Sequence, residues 1–496
     1  MTANRGIQVV WFKRDLRLSD HAPLAEAISS GLPTLLLYLF EPRIIEAEDS
    51  DNRHWRFVRQ SLVDMHLRLR VHDLTLHVCY ADALPLFRIL CAHLPIVRVL
   101  SHEETGTRIT YDRDLALGRY FKEKKIEWGE FQTNGVVRRL SDRGDWAERW
   151  AHNMLQPQQN VELVRLQHFS WDGAADFRLP DHLKETWSVN VQQFQKGGET
   201  EAWRVLNDFL SRRHLGYSRN ISKPEGSREH CSRISPYLAW GNISMRQVYQ
   251  AMRAETAKEG ASRRDLHQFQ SRLYWHCHFI QKFEREERIE IENLNRAFDS
   301  LDKPMRPDII AAWEQGRTGY PLVDAVMRCL VHTGYINFRM RAMLVSFFTQ
   351  MLWQPWQACS RFLARQFLDY EPGIHYPQIQ MQGCTTGVNT CRIYNPVKQS
   401  LDHDSGGHFI RRWVPELAVI PTPFIHEPWK LTPIEQSMYA FELGSHYPMP
   451  IVPLETSMRH ARNQVHMVKK STGARQEATR IRKVHVKLND ENEQGQ

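Results

Sequence analysis

A chain of 496 residues exceeds what one ordinary hydrophobic core supports, so two domains are expected. Hydrophobic residues at 42% and charged residues at 25% exclude a disordered or fibrous polymer. The net charge of +8 points to a polyanionic partner rather than a basic one.

Gln8 to Trp11 is a short apolar run ending in a charged turn, as a strand feeding a loop would. Leu24 to Ile28 has helical spacing, and Thr34 to Phe40 is continuously apolar, like a strand buried on both faces. Trp55 to Leu69 and Leu84 to Cys91 read as helices, and Leu74 to Val78 and Val97 to Leu100 as strands. The alternation predicts an α/β domain with a parallel sheet over residues 1–132. No GxGxxG opens it, which argues against a nicotinamide-type dinucleotide site. Residues 133–198 form a connector, with a helix and polar loop from Trp146 to Asn160. Gly197-Gly198-Glu199 opens the next helical run.

Over residues 199–450, apolar positions recur at spacings of three and four, predicting an all-helical domain. Asp369 to Leu417 lacks that period and is punctuated by Gly373, Gly383, Gly387, Pro372, Pro377 and Pro396, so much of it is expected to be an ordered functional loop. Residues 451–496 form a basic tail containing Arg459, Arg462, Lys469, Lys470, Arg475, Arg480, Arg482, Lys483 and Lys487. Such a tail is expected to be solvated and partly disordered, with nucleic-acid contact as the functional alternative. The eight cysteines are scattered without a CxxC pair, the pattern of reduced thiols rather than a disulfide frame or metal site. No apolar run approaches the ~20 residues of a membrane span, and the N-terminus lacks a signal-peptide pattern. A cytoplasmic protein away from membranes is the expectation.

Several motifs resemble the photolyase/cryptochrome family. WFKRDLRLSDH (Trp11 to His21), the GGE start at Gly197, CSRISPYL from Cys231, the run from Gly316 to Phe347, RIYNP (Arg392 to Pro396) and FIRRWVPEL (Phe409 to Leu417) match in order. The resemblance implies an α/β antenna-type domain followed by a helical domain that holds FAD non-covalently. Tyr217 matches the family's tyrosine against the cofactor. Cys231, Ser232, Arg233, Ile234 and Ser235 match its pyrophosphate-binding run, with Cys231 where Thr is usual; read alone, Ser235 would be an ordinary helix cap. Arg339 and Arg341 fall on two family arginines, the second pairing with a carboxylate across the flavin. Asp369 is the matching carboxylate and Glu371 its acidic neighbour. A guanidinium–carboxylate pair can orient a planar ligand. Arg14, Asp15 and Arg17 either touch a ligand or pair at a strand end. An antenna chromophore, folate or deazaflavin, is possible in the first domain.

The match departs from repair photolyases around the lesion pocket. Trp275 is kept, but Arg272 replaces a Glu, Phe338 an Asn and Ala342 a Met; Arg272 is counted with the cofactor residues. Trp313 and Trp356 match the outer two of three electron-carrying tryptophans. The innermost is replaced by Ile379 or Tyr376, depending on a gap. His375 falls near flavin N5, where its protonation would tune the redox state. With Trp275, Trp313, Trp356, Arg339 and His375 as the working residues, the resemblance implies a monomeric, light-driven lyase that repairs pyrimidine lesions in DNA. The alternatives are a blue-light receptor without repair and a nucleic-acid-binding flavoprotein with no light role.

Overall fold

The computed structural model describes residues 6–140, 142–159 and 161–485. The N-terminal part is a five-stranded sheet of β1 (Ile7–Phe12), β2 (Thr34–Phe40), β3 (Leu76–Tyr80), β4 (Ile96–His102) and β5 (Glu127–Phe131). All neighbours pair in parallel, in the order β3-β2-β1-β4-β5. Helices α1 (Ala22–Ser30), α2 (Asn52–Arg70), α3 (Ala83–His93) and α4 (Arg108–Lys124) make the crossovers. β1 and β2 are buried along their whole length because helices cover both faces, which is why they read as unbroken apolar runs. α4 and β5 escaped the sequence reading. β5 is an edge strand, EWGEF, with no buried residue and little apolar signal.

The remainder is helical. Six helices matter here: α5 (Arg263–Arg285), α6 (Phe338–Ser346), α7 (Trp356–Gln366), α8 (Pro372–Gln382), α9 (Leu454–Lys470) and α10 (Thr472–His485). α8 lies inside the stretch expected to be mostly loop, and Pro396–His403 and His408–Trp413 are helical too. The glycines and prolines there mark helix starts and close approaches rather than a continuous loop. Pro372 sits in the first turn of α8, where its missing N–H costs nothing. A Cβ on Gly373 would come 2.9 Å from the Ile280 Cα, so glycine lets α8 lie directly on α5.

The halves meet through the two motifs nearest their starts. Arg14 Nε donates to the Ala239 carbonyl (2.9 Å) and Nη2 to the Tyr370 carbonyl (2.5 Å), with the guanidinium 4.4 Å from the Trp240 ring. Arg17 bonds the Gly241 and Asp20 carbonyls. Asp15 is buried and accepts from His21 and His102. Arg14 and Arg17 are therefore struts of the domain seam, while Asp15 braces the loop within the sheet half. The GGE start is the matching clamp. Glu199 is 2% exposed, accepts from the Leu18 N–H at 2.7 Å, and pairs with Arg68 of α2. A Cβ on Gly197 would lie 2.1 Å from the Phe57 carbonyl oxygen.

The tail differs from the sequence expectation. α9 and α10 pack on the body through Ala461, Val465, Ala474, Ala478 and Ile481, an apolar stripe too sparse in large residues to announce itself. His485 and Arg480 both reach Glu286 at the end of α5. Lys487 and Asn160 lie outside the described residues. The cysteines also need correction: Cys384 and Cys391 form a disulfide, brought together by the turn after α8. It packs with Phe298 beneath Val465 and Val468 of α9. Scattered spacing gave no hint of it, because the pairing depends on the loop's path.

Replacing Cys384 and Cys391 by Ser should loosen the 384–391 loop and α9 above it, since the short crosslink contributes on the order of 2–3 kcal/mol. Limited proteolysis should cut the variant in this region at least tenfold faster. Equal cleavage of wild type and variant would contradict this.

Candidate functional site

α6 begins at Asn337, whose side chain accepts from the Met340 N–H. This start fixes Arg339 and Arg341 in the first turn. Arg341 Nη2 donates to both carboxylate oxygens of Asp369, at 2.9 and 2.8 Å, while its Nε bonds the Ile336 carbonyl. The pair hinges on one nitrogen rather than on two parallel bonds. Its guanidinium lies 4.0 Å from the Phe367 ring. Burial would raise the Asp369 pKa, but Arg341 and a hydrogen bond from Ser235 hold it below the usual carboxylate range. Asp369 thus carries a fixed negative charge inside the helical half.

Ser235 therefore faces Asp369 rather than capping its helix; the N-cap position is Ile234, with no side-chain cap bond. Arg233 sits just before this turn at φ 58°, a left-handed conformation that turns its side chain inward. Its guanidinium stacks 3.8 Å from the Tyr335 ring and Nη2 donates to Gln195. Burial pushes the Cys231 thiol up to about 12, so it stays neutral. Tyr217 is buried, with Cys231, Arg272 and Tyr335 around its hydroxyl. The structure thus draws Tyr217, residues 231–235, Arg272, Arg341 and Asp369 into one neighbourhood.

Several donors there are unused. Arg233 Nε, Arg272 Nε, Arg339 Nε and His276 Nε2 are buried without a hydrogen-bond partner among the described residues. Buried donors are normally satisfied, so this set fits an anionic, hydrogen-bonding ligand. Arg339 also donates to the Tyr394 hydroxyl at 3.4 Å. His276, Tyr335 and Tyr394 were not singled out from sequence; lone aromatic or imidazole residues on helical stretches carry no distinguishing pattern.

Other expected site residues are placed differently. Glu371 pairs with Arg14 at 3.6 Å, so it belongs to the domain seam rather than to the Asp369 pair. His375 donates Nε2–H to the Ser360 carbonyl at 2.8 Å, and burial depresses its pKa to about 4. It is neutral at physiological pH and does not titrate there as a redox tuner would. Trp356 is buried, with its indole N–H on Asn293. Trp313 is fully buried against Phe348 and Phe362, so it is not a solvent-facing terminus. Of the two residues matched to the innermost tryptophan, Ile379 is buried and Tyr376 packs parallel to Phe283. The Tyr376 hydroxyl is 3.5 Å from that of Tyr370, which donates to Asp49.

Trp275 and Phe338 are exposed by 44% and 45%, the only tryptophan and phenylalanine so open among the described residues. Arg272, one turn before Trp275 on α5, lies over its ring at 5.3 Å. A second opening lies at the carboxyl ends of β1 and β4, where the strand order reverses, the usual ligand position in such sheets. This cleft holds about 80 Å³ of accessible space and is lined by Trp11, Lys13, Tyr38, Trp55, Glu104 and Trp240, among others.

Burial holds the imidazoles of His276 and His375 at about 4 and that of His278 at about 3, against a usual value near 6.5. The unfolded chain therefore binds more protons than the native one between pH 6.5 and 4, and native stability is lost as pH falls through that window. Each group contributes on the order of 1–2 kcal/mol by pH 5. The melting temperature should drop between pH 7 and 5; a flat profile would refute this.

Two family descriptions match the chain: a DNA photolyase domain over residues 8–142 and the FAD-binding domain of DNA photolyase over residues 269–467. A cryptochrome DASH from Gloeobacter violaceus is 27% identical, covering 90% of this chain and 93% of its own length. A deoxyribodipyrimidine photo-lyase from Alkalihalophilus pseudofirmus is also 27% identical, covering 90% and 95%. A class III photolyase from Agrobacterium tumefaciens superposes with a TM-score of 0.81 at 24% identity, over 95% of this chain and 99% of that one. The sheet-then-helix architecture, the Arg341–Asp369 pair among unsatisfied donors and these matches agree: the chain belongs to the photolyase/cryptochrome family and its helical half is a FAD-binding domain.

Proposed function

We propose that this chain is a light-driven DNA photolyase acting on pyrimidine lesions. The observation that carries this is Trp275, an open indole beside Arg272 and the FAD-binding neighbourhood, where bulk burial would otherwise be expected for so large an apolar ring. Bases taken out of a DNA stack are held on such aromatic faces. The match to a photo-lyase over nearly the whole chain supports the same reading.

FAD, when bound, supplies the light-excited electron that splits the lesion. The chain's own residues bind, orient and enclose. In this reading Asp369 and Arg341 fix the ring-facing charges, and Tyr217, residues 231–235 and Arg272 hold the remaining part of the cofactor. The unpaired Nε groups of Arg233 and Arg272 would hold its anionic portion. His375 offers a neutral imidazole with a single fixed tautomer, its Nε2–H on the Ser360 carbonyl. Arg339, tethered to Tyr394, presents a cation beside exposed Phe338 for the DNA backbone. The aromatic lining of the seam cleft, Trp11, Tyr38, Trp55 and Trp240, suits contact with a second aromatic chromophore such as a folate or deazaflavin.

A specific observation favours a photoreceptor as the second reading. The innermost tryptophan position holds Ile379 or Tyr376, neither a tryptophan, and Trp313 does not reach solvent, so electron supply to the flavin is rerouted or slowed. Phe338 also removes an amide from the lesion pocket.

Three outcomes test this. Illuminated protein with reductant should remove a cyclobutane pyrimidine dimer from an oligonucleotide; an untouched dimer with fully reduced flavin would favour the receptor. Trp275→Ala should weaken binding to the dimer-bearing strand about tenfold, since one stacked base contributes ≈ 1–3 kcal/mol; unchanged binding would remove Trp275 from the lesion site. Asp369→Asn should lower flavin retention at least tenfold, because it removes the buried charge that pairs with Arg341; full FAD content in the purified variant would refute the pairing role.

A further inference from the structure

The two C-terminal helices carry a surface that the flavin chemistry does not use. α9 and α10 turn their apolar residues onto the body, through Ala461, Val465, Ala474, Ala478 and Ile481. Their opposite faces are basic. Arg459, Arg462, Lys469, Lys470, Arg475, Arg482 and Lys483 are all exposed. Acidic residues are few in the pair, Glu455 and Glu477, and Glu477 is taken by Arg480. None of the seven exposed cations enters an ion pair among the described residues, while the inward-facing Arg480 is paired twice. On α9, Arg459, Arg462, His466 and Lys469 recur at spacings of three and four, so they form one stripe on one side of the helix. At its edge Trp353 packs against His460 at 4.7 Å, with the Lys303 ammonium 4.3 Å from the indole.

We propose that this stripe binds the phosphate backbone of duplex DNA as a second, sequence-independent contact. Concentrated like charge with no internal partner leaves a positive potential that attracts an external polyanion. From Arg459 to Lys470 the stripe runs about 16 Å along the helix. That length of duplex presents about ten phosphate charges. A membrane surface fits less well: helices that lie in lipid expose a broad apolar face, and here that face is buried against the protein. The stripe is also connected to the flavin half. α9 rests on the Cys384–Cys391 loop, and the chain leaves that loop through Arg392 to Tyr394, whose hydroxyl accepts from Arg339. It is α9 itself, through Val465 and Val468 on its inner face, that lies against the loop leading to Tyr394 and Arg339.

The test is fluorescence anisotropy with a lesion-free duplex of about 20 base pairs, titrated over a range of salt. The variant combines Arg462→Gln, Lys469→Gln, Lys470→Gln and Arg475→Gln. All four are exposed and unpaired, and glutamine keeps the helix propensity. Affinity should fall roughly tenfold or more, and the slope of log affinity against log salt should shrink by about 3. Dimer-bearing duplex should lose affinity by the same factor, leaving discrimination between damaged and intact DNA unchanged. A second variant, Arg462→Lys with Arg475→Lys, keeps the charge and should bind like wild type. An unchanged slope in the glutamine variant would overturn the proposal. So would loss of binding in the charge-keeping variant, or a loss seen with phosphatidylserine vesicles but not with DNA. Because the duplex is undamaged, failure here is separate from failure of the repair reading.

Discussion

The guanidinium of Arg14 is the constraint on which the arrangement depends. It leaves the sheet just after β1, lies on Trp240, bonds the carbonyls of Ala239 and Tyr370, and faces Glu371. Tyr370 and Glu371 directly follow Asp369. A single half-buried cation thus ties the α/β half to the backbone that carries the charge facing Arg341. Glu199 clamps the same sheet loop from the other side through Leu18 and Arg68. Buried charges of this kind are weak as stabilisers but strict as locators, since misplacing either half leaves a charge without its partner.

Within the helical half the electrostatics are arranged by exclusion of water. Asp369 stays ionised because Arg341 and Ser235 outweigh its burial. His276 and His375 stay neutral because nothing nearby outweighs theirs. The result is a site with one fixed anion, neutral imidazoles, and arginine donors left free on one side. That combination suits a ligand that brings its own negative charge and its own flat ring.

Much of this was legible in the residues. β1 and β2 announce themselves as apolar runs, and the helical half as spacings of three and four, because burial on two faces or on one stripe writes itself directly into the order of apolar residues. The pairing of Arg341 with Asp369 was legible only through family resemblance, since 28 residues separate them in sequence. The segment after Asp369 misled because glycine and proline are ambiguous: Gly373 permits close helix packing and Pro372 starts a helix, yet both also mark loops. The tail misled for a related reason. Alanine at positions 461, 474 and 478 buries well but contributes little hydrophobic signal.

The class of each half, the order of the motifs and the family follow from the order of residues alone. Those depend on local periodicity and on short runs, which need no knowledge of distant partners. That Glu371 serves the seam, that His375 is neutral, that Trp313 is sealed from solvent and that Cys384 meets Cys391 are visible only in the folded chain. Each of these is set by what lies across a contact between segments remote in the chain. Burial, ionisation and pairing are properties of neighbourhoods, and a neighbourhood exists only once the chain has folded.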